Sequence, residues 1–87
     1  MKLNKDFVIH KNERETLLVP VGNAGWAGVV KLNDSAADIV EILTDGTEDF
    51  AGIIDKMKEK YDVAEEELKT TTAEFIESLR EIKAIVD

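Results

Sequence analysis

Residues 16–32 are the stretch that most restricts the fold. It holds Pro20, the glycines Gly22, Gly25 and Gly28, and the β-branched runs around Val19-Pro20-Val21 and Val29-Val30. Proline costs about 3 kcal/mol inside a helix and glycine about 1, so a helix across this stretch is excluded. The residues suit strands instead. Thr16–Val21 reads as one strand, and Pro20, which has no N–H for a ladder, marks its end or a sheet edge. Gly22-Asn23-Ala24-Gly25 reads as a turn, since glycine and asparagine tolerate positive φ. Trp26–Leu32 reads as the next strand. Upstream, Phe7–His10 is a β-favouring run, separated from Thr16 by the polar turn Lys11–Glu15. The first half is thus a three-stranded antiparallel meander. A sheet of that size is not stable alone and needs a cover on one face.

The second half supplies that cover as three helices. Ser35-Ala36-Ala37-Asp38 has capping-box spacing, with Asn33 and Asp34 as rival N-caps. Ala36, Ile39, Val40 and Leu43 then share one helical face. Asp45-Gly46 ends this helix, with Gly46 suited to a left-handed C′ position. Thr47 is placed to cap the second helix, whose buried face is Phe50, Ile53, Ile54, Met57 and Tyr61. Asp62 with Glu65 marks a third start. The last helix is read over residues 64–86, with Leu68, Thr72, Phe75, Leu79, Ile82 and Val86 as its core seam. Ala73, Ile76 and Lys69 sit beside that seam and would border a groove between helix and sheet. The expected fold is α+β and winged-helix-like, a three-stranded antiparallel sheet followed by three helices, in one domain over residues 1–87.

Charge divides at the same place as structure. Residues 1–33 carry a net +2 and residues 34–87 a net −10, which gives the chain its −8. Helices this acidic would repel duplex phosphates, so a nucleic-acid partner is not expected. The chain has 0 cysteines and 1 histidine, which excludes thiolate metal sites and paired-histidine chemistry. His10 reads as an edge residue with no nucleophile near it in sequence. The three glycines lack the lysine-serine/threonine ending of a phosphate loop. No apolar run approaches the roughly 20 residues of a membrane span, nor does the N-terminus read as a signal peptide, so a cytoplasmic, non-enzymatic protein without cofactor is expected.

Two resemblances follow from particular residues. Asp34-Ser35-Ala36-Ala37-Asp38-Ile39 resembles the Asp-Ser motif of acyl carrier proteins, which implies phosphopantetheine on Ser35. That family begins with a helix, however, where residues 16–32 are strand-like, and Ala36 stands where it has a bulkier apolar residue. The N-cap reading of Ser35 is the simpler one.

The wider resemblance runs over residues 7–86. Leu32-Asn33-Asp34-Ser35-Ala36, then Ile39 and Leu43, then Asp45-Gly46-Thr47, and finally Phe75-Ile76-x-x-Leu79, stand in the order of the PqqD family. Leu17-Leu18-Val19 also fits. The departure is at the end, where Lys83-Ala84-Ile85-Val86 lacks the family's glycine. The resemblance implies a protein that binds the leader segment of a ribosomally made precursor peptide and presents it to a modifying enzyme, often a radical S-adenosylmethionine enzyme. It implies that the leader adds as a strand along Val29, Val30, Lys31 and Leu32, beside the third helix. Thr72, Ala73 and Ile76 would wall that groove, and Lys69 and Arg80 would join Lys31 at its rim, favouring a leader of some acidic character. Ile76→Asp and Val30→Pro are then the natural probes. An exposed strand edge could also pair with a second copy of the chain.

Overall fold

The computed structural model describes residues 1–22 and 28–87. Four short strands come first: β1 (Lys2–Leu3), β2 (Phe7–Lys11), β3 (Thr16–Pro20) and β4 (Val30–Leu32). Three helices follow, α1 (Asp34–Asp45), α2 (Phe50–Lys60) and α3 (Glu65–Glu81), and then β5 (Ile85–Val86). The fold is α+β. The expected meander is present as an antiparallel sheet in the order β2-β3-β4. Pro20 pairs with Phe7 at the last position of β3, where its missing N–H does least harm. Gly22 adopts φ +60, and a Cβ there would meet the Asp6 carboxylate at 3.3 Å, so glycine is favoured. The remainder of the expected turn, Asn23–Gly25, and the Trp26-Ala27 start of the third strand lie outside the described residues.

Strand alternation sends one face of the sheet inward. Phe7, Leu18 and Leu32 are buried, while Val8, His10 and Lys31 face out. The inner face meets Ala36, Ile39, Val40 and Leu43 of α1, Ile53, Ile54 and Met57 of α2, and Leu68, Ile76 and Leu79 of α3. Burial of these side chains, at roughly 1.5–3 kcal/mol each, is what holds the helices on the sheet.

The C-terminus departs from expectation. A helix to residue 86 is replaced by one that stops at Glu81. Lys83 takes a left-handed φ of 62. Its N–H bonds the Arg80 carbonyl at 3.0 Å, and the Ala84 N–H bonds the Leu79 carbonyl at 2.9 Å. This pair of bonds is a Schellman motif, and the buried contact it normally brings is supplied by Ala84 and Leu79. Lys83 therefore occupies the left-handed position that glycine most often takes at a helix end. The turn releases Ile85–Val86 to pair antiparallel with Lys2–Leu3, a second small sheet that periodicity did not reveal. Ile82 and Val86 fitted a helical seam only because a turn and a strand happen to place apolar residues at similar intervals.

The helix starts also differ. Asn33, not Ser35, caps α1: its Oδ1 accepts from the Ala36 N–H at 2.8 Å and from the Ser35 hydroxyl at 3.1 Å. Asp49, not Thr47, caps α2 by accepting from the Gly52 N–H at 2.8 Å. The N-cap of α3 is Ala64, with no side-chain bond, so Asp62 does not serve. Gly46 is in extended backbone, which any residue can adopt, rather than left-handed. At α1 and α2 the side chain that accepts from the free amide is two residues away from the expected Ser35 and Thr47.

Candidate functional site

β4 is the last strand of its sheet, and among the described residues no strand lies on its other side. Leu18, Leu17 and Thr16 of β3 pair with Val30, Lys31 and Leu32, which fixes β4 on one edge only. In an antiparallel ladder alternate residues turn their N–H and C=O groups away from the partner strand. Those outward groups of β4 are free to accept another strand. Val29, just before β4, is 56% exposed, and Leu32 at its end is buried.

β4 runs directly into Asn33, and three surface clefts meet there. The first, about 140 Å³, lies between the first turn of α1 and α3. Ala36 and Ile39 form one side, Met57 the floor, and Leu68, Thr71, Thr72 and Phe75 the α3 side. The second, about 420 Å³, continues it past Asn33, keeping Met57, Leu68 and Thr71 and adding Tyr61, Val63, Asp34 and Glu67. The third, about 440 Å³, is polar and lies between the Asn12–Glu15 turn and Lys31–Asp34. The side chains that shape the first two are set by helix geometry: positions 68, 71, 72 and 75 fall within one narrow stripe of α3.

The wall of the second cleft is fastened by an ionic contact. The Tyr61 hydroxyl donates to Asp38 Oδ2, and Lys60 Nζ pairs with Asp38 Oδ1 at 2.9 Å. The Tyr61 bond, helped by Lys60, holds the Asp38 carboxyl below its usual range against the opposing effect of burial. Donation to a carboxylate in turn pushes the Tyr61 phenol up to about 12. Asp38 is on α1 and Tyr61 closes α2, so this contact ties the two helices beside the cleft. A similar pair, Lys11 with Glu41, joins β2 to α1.

Of the α3 residues expected along the groove, Thr72 lines it and is itself buried. Lys69 lies on the other flank, in a cleft with Phe50, Ala51, Ile54, Asp55 and Glu65. Ala73 is exposed, and Arg80 pairs with Asp87 at 2.9 Å. Ile76 is 5% exposed and belongs to the core. Ile76→Asp would therefore bury a carboxylate and unfold the domain rather than probe a groove. Thr71 and Phe75 of α3, with Met57, Tyr61 and Val63, line these clefts and were not among the residues expected there; on α3, Thr71 falls on the flank opposite Lys69. An apolar stripe shows which face of a helix is buried, but not which of its two borders adjoins the strands. Ser35 sits in the first turn of α1 as a donor to Asn33, and strands β3 and β4 occupy the region where a carrier protein would have a helix.

These features define a class: a small α+β domain whose three-stranded sheet precedes three helices and, among the described residues, leaves its last strand open beside a cleft. The chain belongs to the PqqD family, since the family described as "Coenzyme PQQ synthesis protein D (PqqD)" matches residues 15–85. Its structure is similar to the chain solved as "TbiB1 in Complex with the TbiA(beta) Leader Peptide", with a TM-score of 0.76 over 100% of both chains and 19% sequence identity. At that identity the likeness is one of fold. No curated protein matches the chain.

Proposed function

We propose that this protein is a non-catalytic recognition element that binds the leader segment of a ribosomally made precursor peptide and presents it to a modifying enzyme of the radical S-adenosylmethionine type. The observation that carries the reading is the open edge of β4 running into a cleft against α3 in which Ala36, Ile39, Met57, Leu68 and Phe75 alternate with Asn33, Ser35, Thr71 and Thr72. An extended peptide satisfies the outward backbone groups of Val30–Leu32, and its inward side chains enter the cleft. The family membership supports this, as does a fold shared with a chain solved in complex with a leader peptide. Val29, Val30, Lys31 and Leu32 provide the edge; Thr72 with Thr71 and Phe75 provide the α3 wall. Lys69, Ala73, Ile76 and Arg80 contribute through the fold of α3 rather than at this wall.

The test is a titration with the leader of a precursor peptide encoded beside the gene for this chain, read by fluorescence anisotropy. Thr71→Arg fills the cleft from an exposed helical position and should weaken binding at least tenfold with the circular dichroism spectrum unchanged. The register turns the Val30 N–H inward to β3, so the expected Val30→Pro would break the sheet; Lys31→Pro removes the outward N–H of β4 and should abolish binding, with the same spectroscopic control. Unchanged affinity in folded Thr71→Arg would refute the cleft assignment.

A further inference from the structure

The 420 Å³ cleft beyond β4 is not needed for strand addition, yet it continues the same groove. Its interior is apolar: Met57 and Leu68 are buried beneath it, and Val63, 46% exposed, stands at its rim. Two helix starts open onto it, at Asp34 of α1 and Glu67 of α3. Both carboxylates are free of ion pairs among the described residues, while the neighbouring Lys58 and Lys60 are engaged by Glu65 and Asp38. Among the described residues lining the cleft, none is basic. Each helix N-terminus contributes about half a positive charge, whereas each carboxylate contributes a full negative one. The rim is therefore net negative around an apolar floor.

We propose that the bound leader carries a large apolar anchor side chain next to a lysine or arginine, the anchor seated on Met57, Tyr61, Val63 and Leu68 and the base held by Asp34 and Glu67. The inference rests on the strand-addition reading and adds to it what the peptide must contain. It also gives a direction. β4 points toward Asn33, so an antiparallel partner runs away from Asn33. The anchor then lies on the N-terminal side of the residues that pair with β4. The preference reverses the acidic leader that the lysines of the sequence suggested, because Lys69 and Arg80 do not reach the groove.

The experiment is a selection of a random peptide library displayed on yeast, using the full chain as bait. Selected peptides are then measured against Val63→Asp, Glu67→Lys and Lys31→Pro, the last removing the outward N–H of β4. Sequences enriched in an aromatic or large aliphatic residue beside lysine or arginine are expected. Val63→Asp should weaken them at least tenfold. Glu67→Lys should weaken them about fivefold, as fits one exposed charge pair, and a fresh selection on it should favour acidic neighbours instead. Peptides that lose binding in Lys31→Pro but bind Val63→Asp and Glu67→Lys like the parent overturn the anchor while leaving strand addition intact. Peptides enriched beside aspartate or glutamate overturn the charge assignment. Peptides indifferent to Lys31→Pro, or no binders at all, overturn the strand-addition reading itself.

Discussion

Tyr61→Phe removes a single hydroxyl and tests whether the Asp38 contact holds α1 against α2. The phenol is pushed from 10.0 to about 12, which corresponds to about 2.7 kcal/mol of preference for the protonated form. That figure is a ceiling, because part of it is burial and repulsion that a phenylalanine does not feel. Hydrogen bonds to charged groups contribute about 1.5–3 kcal/mol, and partial exposure of the tyrosine moves this one toward the lower end. Asp38 keeps Lys60 in the variant, so its charge is not left alone. A cost of about 1.5 kcal/mol follows, or roughly 6–12 °C in Tm for a chain of this length. The assay is urea unfolding of the parent, Tyr61→Phe, Asp38→Asn and the double variant. If the contact is direct, Tyr61→Phe should cost much less in the Asp38→Asn background. The pH dependence has a definite sign. Asp38 is depressed in the folded state, so its contribution is complete above about pH 4 and fades as pH falls through the folded value. Tyr61 is raised, so its contribution is complete below about pH 10 and fades as pH rises toward 12. The cost of Tyr61→Phe should be flat between those limits. An equal cost in both backgrounds, or a cost that does not decline as the pH is lowered below about 4, would refute the reasoning.

Two further outcomes follow from helix ends. Lys83→Gly should stabilise the domain by about 0.5–1 kcal/mol, because the left-handed φ of 62 disfavours a side chain, and chemical denaturation measures it. Asn33→Ala should cost about 1 kcal/mol through the lost cap, whereas Ser35→Ala should stay within about 0.5, and comparison of the two midpoints separates the cap from its neighbour.

Much of this fold was legible because its punctuation is local. Pro20 and Gly22 bound a strand by backbone restriction alone, and the apolar spacing of α1 and α2 identifies Ile39, Val40, Leu43, Ile53, Ile54 and Met57 as core. What was hidden depends on contacts far apart in the chain. β1 and β5 are two residues each, too short for any periodicity, and exist because the ends of the chain meet. Lys83 in a left-handed turn gives no sign in sequence, since a lysine is an ordinary helix residue. The strand over Val29–Leu32 was readable, but which border of the α3 seam adjoins the cleft at Asn33 was not: Thr71 lines it, and Lys69 lies on the other flank. That choice depends on how α3 is rotated over Met57 and Ile39, a packing outcome that one helix's spacing does not contain.

The central claim is that a peptide pairs with the outer edge of β4. Amide hydrogen exchange by NMR, with and without the precursor leader, measures this at single residues. The account predicts added protection at the outward-facing Lys31 amide, with the Val30 and Leu32 amides paired to β3 unchanged. Saturating peptide that leaves every β4 amide as it was, and protects another edge or helix face instead, would contradict it.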